Sequence, residues 1–138
     1  MVGFPGEIEK DFKGLKEFIK EIKFDHLGAF MYSKEEGTKS YDFPHQVRES
    51  TKKRRLDEIM ELQQQISYEA NKKHVGEVMT GLIIGEEDGN YLFRSYWNAP
   101  DDVDGKIYIT KTKDLKPGDK VTVIIDNAFV YDLVGHLK

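Results

Sequence analysis

Five short β-prone runs between residues 76 and 138 constrain this chain more than any other feature. They fall at 77–84, 91–97, 106–110, 120–126 and 129–135 and are rich in Val, Ile, Tyr, Phe and Trp. Turn-forming stretches separate them: Gly85-Glu86-Glu87-Asp88-Gly89-Asn90, then 98–105, 114–119 and Asp126-Asn127. A lone sheet of this size would leave two unpaired edges, and closure removes them. The spacing therefore predicts a closed five-stranded β-barrel over residues 73–138.

Residues 1–72 have a different rhythm. Ile8, Phe12, Leu15, Ile19 and Ile22 recur at steps of four and three, which predicts a helix over 7–23 with Glu7, Glu9 and Asp11 at its start and Lys20 and Lys23 at its end. The apolar run Leu27-Gly28-Ala29-Phe30-Met31-Tyr32 lacks alternation and reads as a strand buried on both faces, as in a parallel sheet. A loop over 33–46 follows. A long helix over 48–74 comes next, its stripe made of Leu56, Ile59, Gln63, Ile66 and Ala70, widened by Met60 and Leu62, and ended by Gly76. Met1-Val2-Gly3-Phe4-Pro5-Gly6 reads as the end of a strand and a tight turn, so the chain is expected to begin inside a larger α/β domain. The overall class is α+β: an α/β piece over 1–72, a long linking helix, and the barrel over 73–138.

Composition narrows the chemistry. The chain holds no cysteine, so it offers no disulfide and no thiolate ligand for a metal or an iron–sulfur cluster. His26, His45, His74 and His136 are scattered without metal-ligand spacing. No apolar run approaches the roughly 20 residues that span a bilayer, and no membrane partner is expected. The N-terminus lacks a signal-peptide pattern, which makes a cytoplasmic location the default. The formal net charge of −4 argues against a nucleic-acid partner.

Two places carry candidate binding residues. Gly3-Phe4-Pro5-Gly6-Glu7 joins a strand end to a helix N-terminus, where glycines admit a ligand to the backbone. Tyr32-Ser33 lies at the corresponding end of the next strand. In the barrel, Arg94 stands among Tyr91, Phe93, Tyr96 and Trp97, a composition that can stack single-stranded nucleic acid. The acidic loops oppose that use. Residues 75–138 hold 7 Lys and Arg against 11 Asp and Glu, with Asp101, Asp102 and Asp104 clustered in one loop, a balance suited to a basic protein. Lys52-Lys53-Arg54-Arg55 reads first as a solvated helix face and second as a contact for phosphate or an acidic partner. Neither a nucleophile–base pair nor paired carboxylates can be assigned, and no catalytic residue is expected on this chain.

Several motifs then converge on one family. Val2-Gly3-Phe4-Pro5-Gly6-Glu7, Phe30-Met31-Tyr32-Ser33 with Glu36-Gly37-Thr38, and Gln64-Gln65-Ile66-Ser67 resemble, in this order, landmarks of the methylthiotransferases, radical S-adenosylmethionine enzymes with two 4Fe-4S clusters. The barrel is similar to their C-terminal TRAM domain, which implies a five-stranded antiparallel β-barrel of OB-like type over residues 73–138. Pro44-His45-Gln46-Val47, and Asn98-Ala99-Pro100 with Val103-Asp104-Gly105 shortly after Arg94, resemble the branch that adds a methylthio group to an aspartate of small-subunit ribosomal protein twelve. Ile8 departs from the family's usual Thr or Ser, His45 from its Asp, and the family's Cys-x-x-x-Cys-x-x-Cys motif is absent.

The resemblance implies that residues 1–72 are the closing part of a TIM-like radical domain. Gly3, Phe4, Pro5, Gly6, Glu7, Tyr32 and Ser33 would border S-adenosylmethionine. Arg94, Trp97, Asp101, Asp102 and Asp104 would contact the substrate, a basic ribosomal protein in preference to RNA. Alone, the chain would retain neither cofactor nor clusters and would be inactive, and residues 1 to about 45 would pack loosely or self-associate.

Overall fold

The computed structural model describes residues 1–98 and 105–138. The chain forms two compact units, Met1–Ile66 and Ser67–Lys138. The division falls inside the second helix, ahead of the expected boundary at 72/73. Ser67 and Asn71 are buried, and the Asn71 amide donates to the carbonyls of Phe129 (3.0 Å) and Val130 (3.1 Å). The last turns of that helix thus belong with the barrel.

In the first unit, helix α1 spans Glu9–Ile22, shorter at both ends than expected. Ile8 has no side-chain oxygen to cap the helix; instead the Asp11 carboxylate accepts the Ile8 N–H at 3.0 Å. At the other end Lys23 takes a left-handed conformation (φ 54°) and returns its N–H to the Ile19 carbonyl. Only the middle of the apolar stripe is used for the core. Phe12 and Ile19 are fully buried, whereas Ile8 and Ile22 are exposed. Helix α2 spans Glu49–Lys72. Val2, Phe12, Ile19 and Ile59 form the core of this unit, with Leu15, Leu27, Ala29, Leu56, Leu62 and Ile66 packed around them.

The run 27–32 is not a strand. Its one ladder contact is a parallel bridge between Val2 and Met31, closed by Val2 N–H to Phe30 O (2.9 Å) and Tyr32 N–H to Val2 O (2.8 Å). Phe30 is 64% exposed. A parallel strand buried on both faces needs covered faces and neighbours on its edges, and among the described residues this segment has a single short neighbour. Within the expected loop over 33–46, Lys39–Asp42 forms a 3₁₀ turn.

The second unit contains the barrel: β1 (Val78–Glu87), β2 (Asn90–Arg94), β3 (Ile107–Thr110), β4 (Lys120–Ala128) and β5 (Leu133–Leu137), closed in the order β1-β2-β3-β5-β4. Closure and strand number agree with the sequence reading, but an all-antiparallel barrel is ruled out. β3 and β5 run parallel, with Ile107 opposite Leu133 and Ile109 opposite Gly135, while the other four pairs are antiparallel. The reason is parity: strand directions cannot alternate all the way round a closed ring with an odd number of members.

Several strand boundaries also differ from expectation: β2 ends at Arg94 rather than Trp97, and β4 runs through the expected break at Asp126-Asn127 to Ala128, taking it up as a bulge. β1 continues through Gly85 to Glu87, because the reversal needs only Asp88 (φ 51°) and Gly89 (φ 77°), a two-residue turn of type I′ between the paired Glu87 and Asn90. Residues 129–132 form a turn, closed by Phe129 N–H to Asp132 O at 2.8 Å, so β5 begins only at Leu133. Bulges at Ile83/Gly85 and Ile125/Asn127 bend the two longest strands.

Strand alternation sends Met79, Ile83, Tyr91, Phe93, Ile107, Ile109, Val123, Ile125 and Leu133 into one core. Closure at this small radius demands glycine where strands approach. A Cβ on Gly135 would lie 2.3 Å from the Ile124 carbonyl oxygen, and one on Gly81 would lie 2.0 Å from that of Arg94.

Candidate functional site

The residues expected to bind a cofactor come together in the first unit. The Val2–Met31 bridge is parallel, so the chain leaves it on the same side twice, once into Gly3–Gly6 and once into Tyr32-Ser33. Gly3 has φ 76° and offers its N–H to both oxygens of Glu7 (3.1 and 3.0 Å). A side chain could not replace its hydrogen, because a Cβ would meet Lys52 Cγ at 2.4 Å. Gly6 (φ 87°) donates to the His45 carbonyl at 3.0 Å. Phe4 stands edge-on to Tyr32 (centroids 5.3 Å) and to Phe43 (6.1 Å). Pro5 lies between them in the turn, and the Ser33 hydroxyl donates to Glu35 at 2.5 Å.

Lys52 and Arg55 hold this turn, and here the expectation of a solvated helix face fails. Lys53 and Arg54 are exposed, but Lys52 and Arg55 are buried. Lys52 Nζ donates to the Tyr32 carbonyl (3.0 Å) and to Glu49 (2.6 Å). Arg55 Nη1 donates to the Glu7 carboxylate (2.5 Å) and to the Glu7 carbonyl (3.1 Å). A spacing of three places both cations on the face that continues into Ile59 and Gln63, and that continuity was the available signal. Outside this face, the Lys16 ammonium and then the Arg54 guanidinium hold the Glu58 carboxyl below its ordinary value. Among the described residues, two buried polar atoms here have no hydrogen-bond partner, the Tyr32 hydroxyl and Arg55 Nε.

The barrel residues expected at a substrate surface separate by strand alternation. Tyr91 and Phe93 point into the core and cannot serve as a stacking platform. The Tyr91 hydroxyl is instead structural, donating to Lys113 O (2.8 Å) and accepting from Leu115 N–H (2.9 Å). Arg94 ends β2 opposite Leu82 and is half-buried. Trp97 is half-buried just beyond, its ring 6.0 Å from that of His74. Asp101, Asp102 and Asp104 lie outside the described residues.

Sequence reasoning missed Glu77 and its two partners. The Tyr96 hydroxyl donates to one oxygen of the Glu77 carboxylate, and His74 Nδ1 lies 2.6 Å from the other. The Tyr96 hydroxyl, and after it His74, hold the Glu77 carboxyl below its ordinary value, while Glu77 pushes the Tyr96 phenol up. Nothing in the sequence pairs these residues, since Tyr96 lies 19 positions beyond Glu77. Elsewhere on the barrel, Glu86 is bonded to Lys111, and Glu87 to Lys106 (2.7 Å) and Tyr108 (2.9 Å).

Among the described residues no His, Asp and Glu cluster is arranged to hold a metal, and no helix is long and apolar enough to cross a membrane. Residues 75–137, the barrel with its entry turn, match the family described as the TRAM domain. The barrel is thus similar to the TRAM domain along almost its whole length. Over 98% of its length the chain is also similar to curated proteins named ribosomal protein uS12 methylthiotransferase RimO. It is 53% identical to that of Caldanaerobacter subterraneus subsp. tengcongensis, 50% to that of a Thermoanaerobacter species and 49% to that of Clostridium kluyveri. The similarity falls on the C-terminal region of these relatives, and the chain spans about 31% of the length of the first. The barrel and the turn held by Arg55 thus both lie within the matched stretch.

Proposed function

We propose that this chain is the C-terminal segment of a radical S-adenosylmethionine methylthiotransferase acting in the cytoplasm on an aspartate of ribosomal protein uS12. In this reading its TRAM domain docks the substrate. The observation that carries the reading is near-end-to-end similarity to the RimO relatives, which spans both units.

The turn around Gly3 suits a border of the cofactor site. Gly3 and Gly6 present backbone without side chains, Phe4 supplies a partly exposed ring, and the Tyr32 hydroxyl is a buried polar atom still without a partner. S-adenosylmethionine, when bound, supplies radical chemistry through the clusters. The residues of this chain orient it and exclude water: Phe4 and Tyr32 by packing, Gly3, Pro5 and Gly6 by close backbone approach, Ser33 at the adjoining segment. Glu7 acts one step back, as the anion that fixes the Gly3 turn against Arg55. The chain itself holds no cysteine, so cluster ligands are the task of the rest of such an enzyme.

A chimera tests this. The C-terminal region of a RimO relative is replaced by this chain, and uS12 recovered from cells lacking the native enzyme is examined by mass spectrometry. Methylthiolated uS12 is expected. A soluble chimera with full iron content that leaves uS12 unmodified, or that modifies tRNA instead, would overturn the reading.

A further inference from the structure

The second unit carries one polar cluster, His74, Glu77 and Tyr96, that stays partly open to solvent. Tyr96 is the most exposed large hydrophobic residue of the described chain, at 73%, yet its hydroxyl is fixed on Glu77. An exposed tyrosine tied at its tip has lost most of its rotamer freedom before any partner arrives. Its ring is therefore presented in one orientation beside a carboxylate.

That carboxylate differs from two others on the barrel. Glu86 and Glu87 each have a lysine partner. The partners of Glu77 are a phenol and an imidazole, and no lysine or arginine reaches it among the described residues. Its side chain stays 35% exposed, and a carboxylate has about four lone-pair sites, so two neighbours leave acceptor capacity facing solvent. The Tyr96 hydroxyl holds the group ionised, and the surrounding sequence adds to the negative field, with 11 Asp and Glu against 7 Lys and Arg over residues 75–138.

A fixed aromatic face next to an open carboxylate is the arrangement that takes a guanidinium. The planar cation can stack on the ring while its N–H groups reach the carboxylate, which a compact ammonium does less well. We propose that Glu77 and Tyr96 form a receptor for an arginine side chain of a basic protein partner. The inference deepens the reading of the barrel as a docking module, and rests on it, by naming the residues that make the contact and the side chain they select. His74 is the positioning residue that holds the second oxygen of Glu77.

The full 138-residue chain is titrated with an acetylated Gly-Arg-Gly-Arg-Gly peptide and with its citrulline counterpart. Amide shifts around residues 77 and 96 and the fluorescence of Trp97, the single tryptophan, report binding. The arginine peptide is expected to bind with a Kd of about 1 mM and to shift these signals, while the neutral citrulline peptide is expected to bind at least about fivefold more weakly. Glu77→Gln and Tyr96→Ala should each weaken the arginine peptide about five- to tenfold, with core amides such as Ile109 unmoved. Equal binding of the citrulline peptide, or unchanged affinity in both variants, would overturn the proposal. So would an oligouridylate RNA that shifts the same signals more tightly than the arginine peptide. Whole uS12 separates the two levels. If it binds the chain and ignores both substitutions, the arginine receptor fails and the docking reading stands. If it does not bind while the arginine peptide still does, the docking reading fails and the receptor stands.

Discussion

Arg55 and Glu7 meet at 2.5 Å with side chains only 5% and 14% exposed, 48 residues apart in the chain. This pair fastens the Gly3 turn to α2, because the same carboxylate accepts the Gly3 N–H. A buried ion pair is weak evidence of net stability, but removing one partner leaves the other buried without its counter-charge. Arg55→Met should therefore destabilise the first unit by about 3 kcal/mol, and the double variant Glu7→Gln/Arg55→Met by less than the sum of the two single changes. Urea titrations followed by far-ultraviolet circular dichroism, carried through the full double-mutant cycle, measure this. Additive losses would show that the pair is not coupled.

Two glycines should respond to alanine in opposite directions. Gly135→Ala places a methyl 2.3 Å from the Ile124 carbonyl oxygen, in a ladder that cannot open without breaking β4–β5 pairing. A loss of about 3 kcal/mol or more, or failure to fold, is expected. Gly14 lies within α1 with open space at its Cβ, so Gly14→Ala should stabilise by about 0.5–1 kcal/mol. Thermal unfolding of both variants decides.

The hydroxyl of Tyr91 should matter without its ring moving. It bridges Lys113 O and Leu115 N–H from within the barrel core. Tyr91→Phe leaves those two groups short of a partner at a cost of about 1–2 kcal/mol. Faster amide hydrogen exchange at Leu115, with little change at Ile109 or Val123 after correction for global stability, is the expected signature.

Acid should weaken the first unit through Glu58. Its carboxyl is held below the ordinary value by Lys16 at 2.6 Å and then by Arg54. A folded-state value below the unfolded one contributes stability that is present above the unfolded carboxylate value, about 4.3, and is lost as pH falls through the folded value. Because the pair is partly solvated, the contribution stays under about 1 kcal/mol. Between pH 6 and pH 3 the urea midpoint of Glu58→Gln should fall less than that of the parent chain, and the difference should shrink in 1 M salt.

Hydrogen exchange should also separate the segment 27–32 from the barrel. Tyr32 N–H has a backbone acceptor in Val2, but this is one isolated bridge and no strand continues from it. Amides 27–31 should exchange at least about a hundredfold faster than those of Ile109 and Val123. Equal protection in a monomer would contradict the expectation of loose packing there.

Much of the fold was legible because local chemistry decided it. The period of Phe12, Leu15 and Ile19 gave α1, and Asp88-Gly89 marked a hairpin even though the break was drawn too wide around it. Even the parallel β3–β5 pair follows from the strand count once closure is assumed. The stretch 27–32 was misread because an apolar run states only what it would bury, not whether neighbours exist to bury it. At the candidate cofactor border, the Gly3 turn and Tyr32-Ser33 were recognisable from composition. The burial of Lys52 and Arg55 was not, since a run of four cations looks solvated until its helical phase is matched to the acids opposite.

The sequence alone determined the two helices, the number of barrel strands, the acidic character of the barrel half, and the absence of thiolate ligands, because each depends on neighbouring residues or on totals. Tertiary structure alone decided which partner each carboxylate meets: Glu7 with Arg55 across 48 positions, and Glu77 with Tyr96 and, among the described residues, with no lysine. Such pairings depend on how folded segments are juxtaposed in space, and for partners this far apart along the chain no local periodicity encodes that.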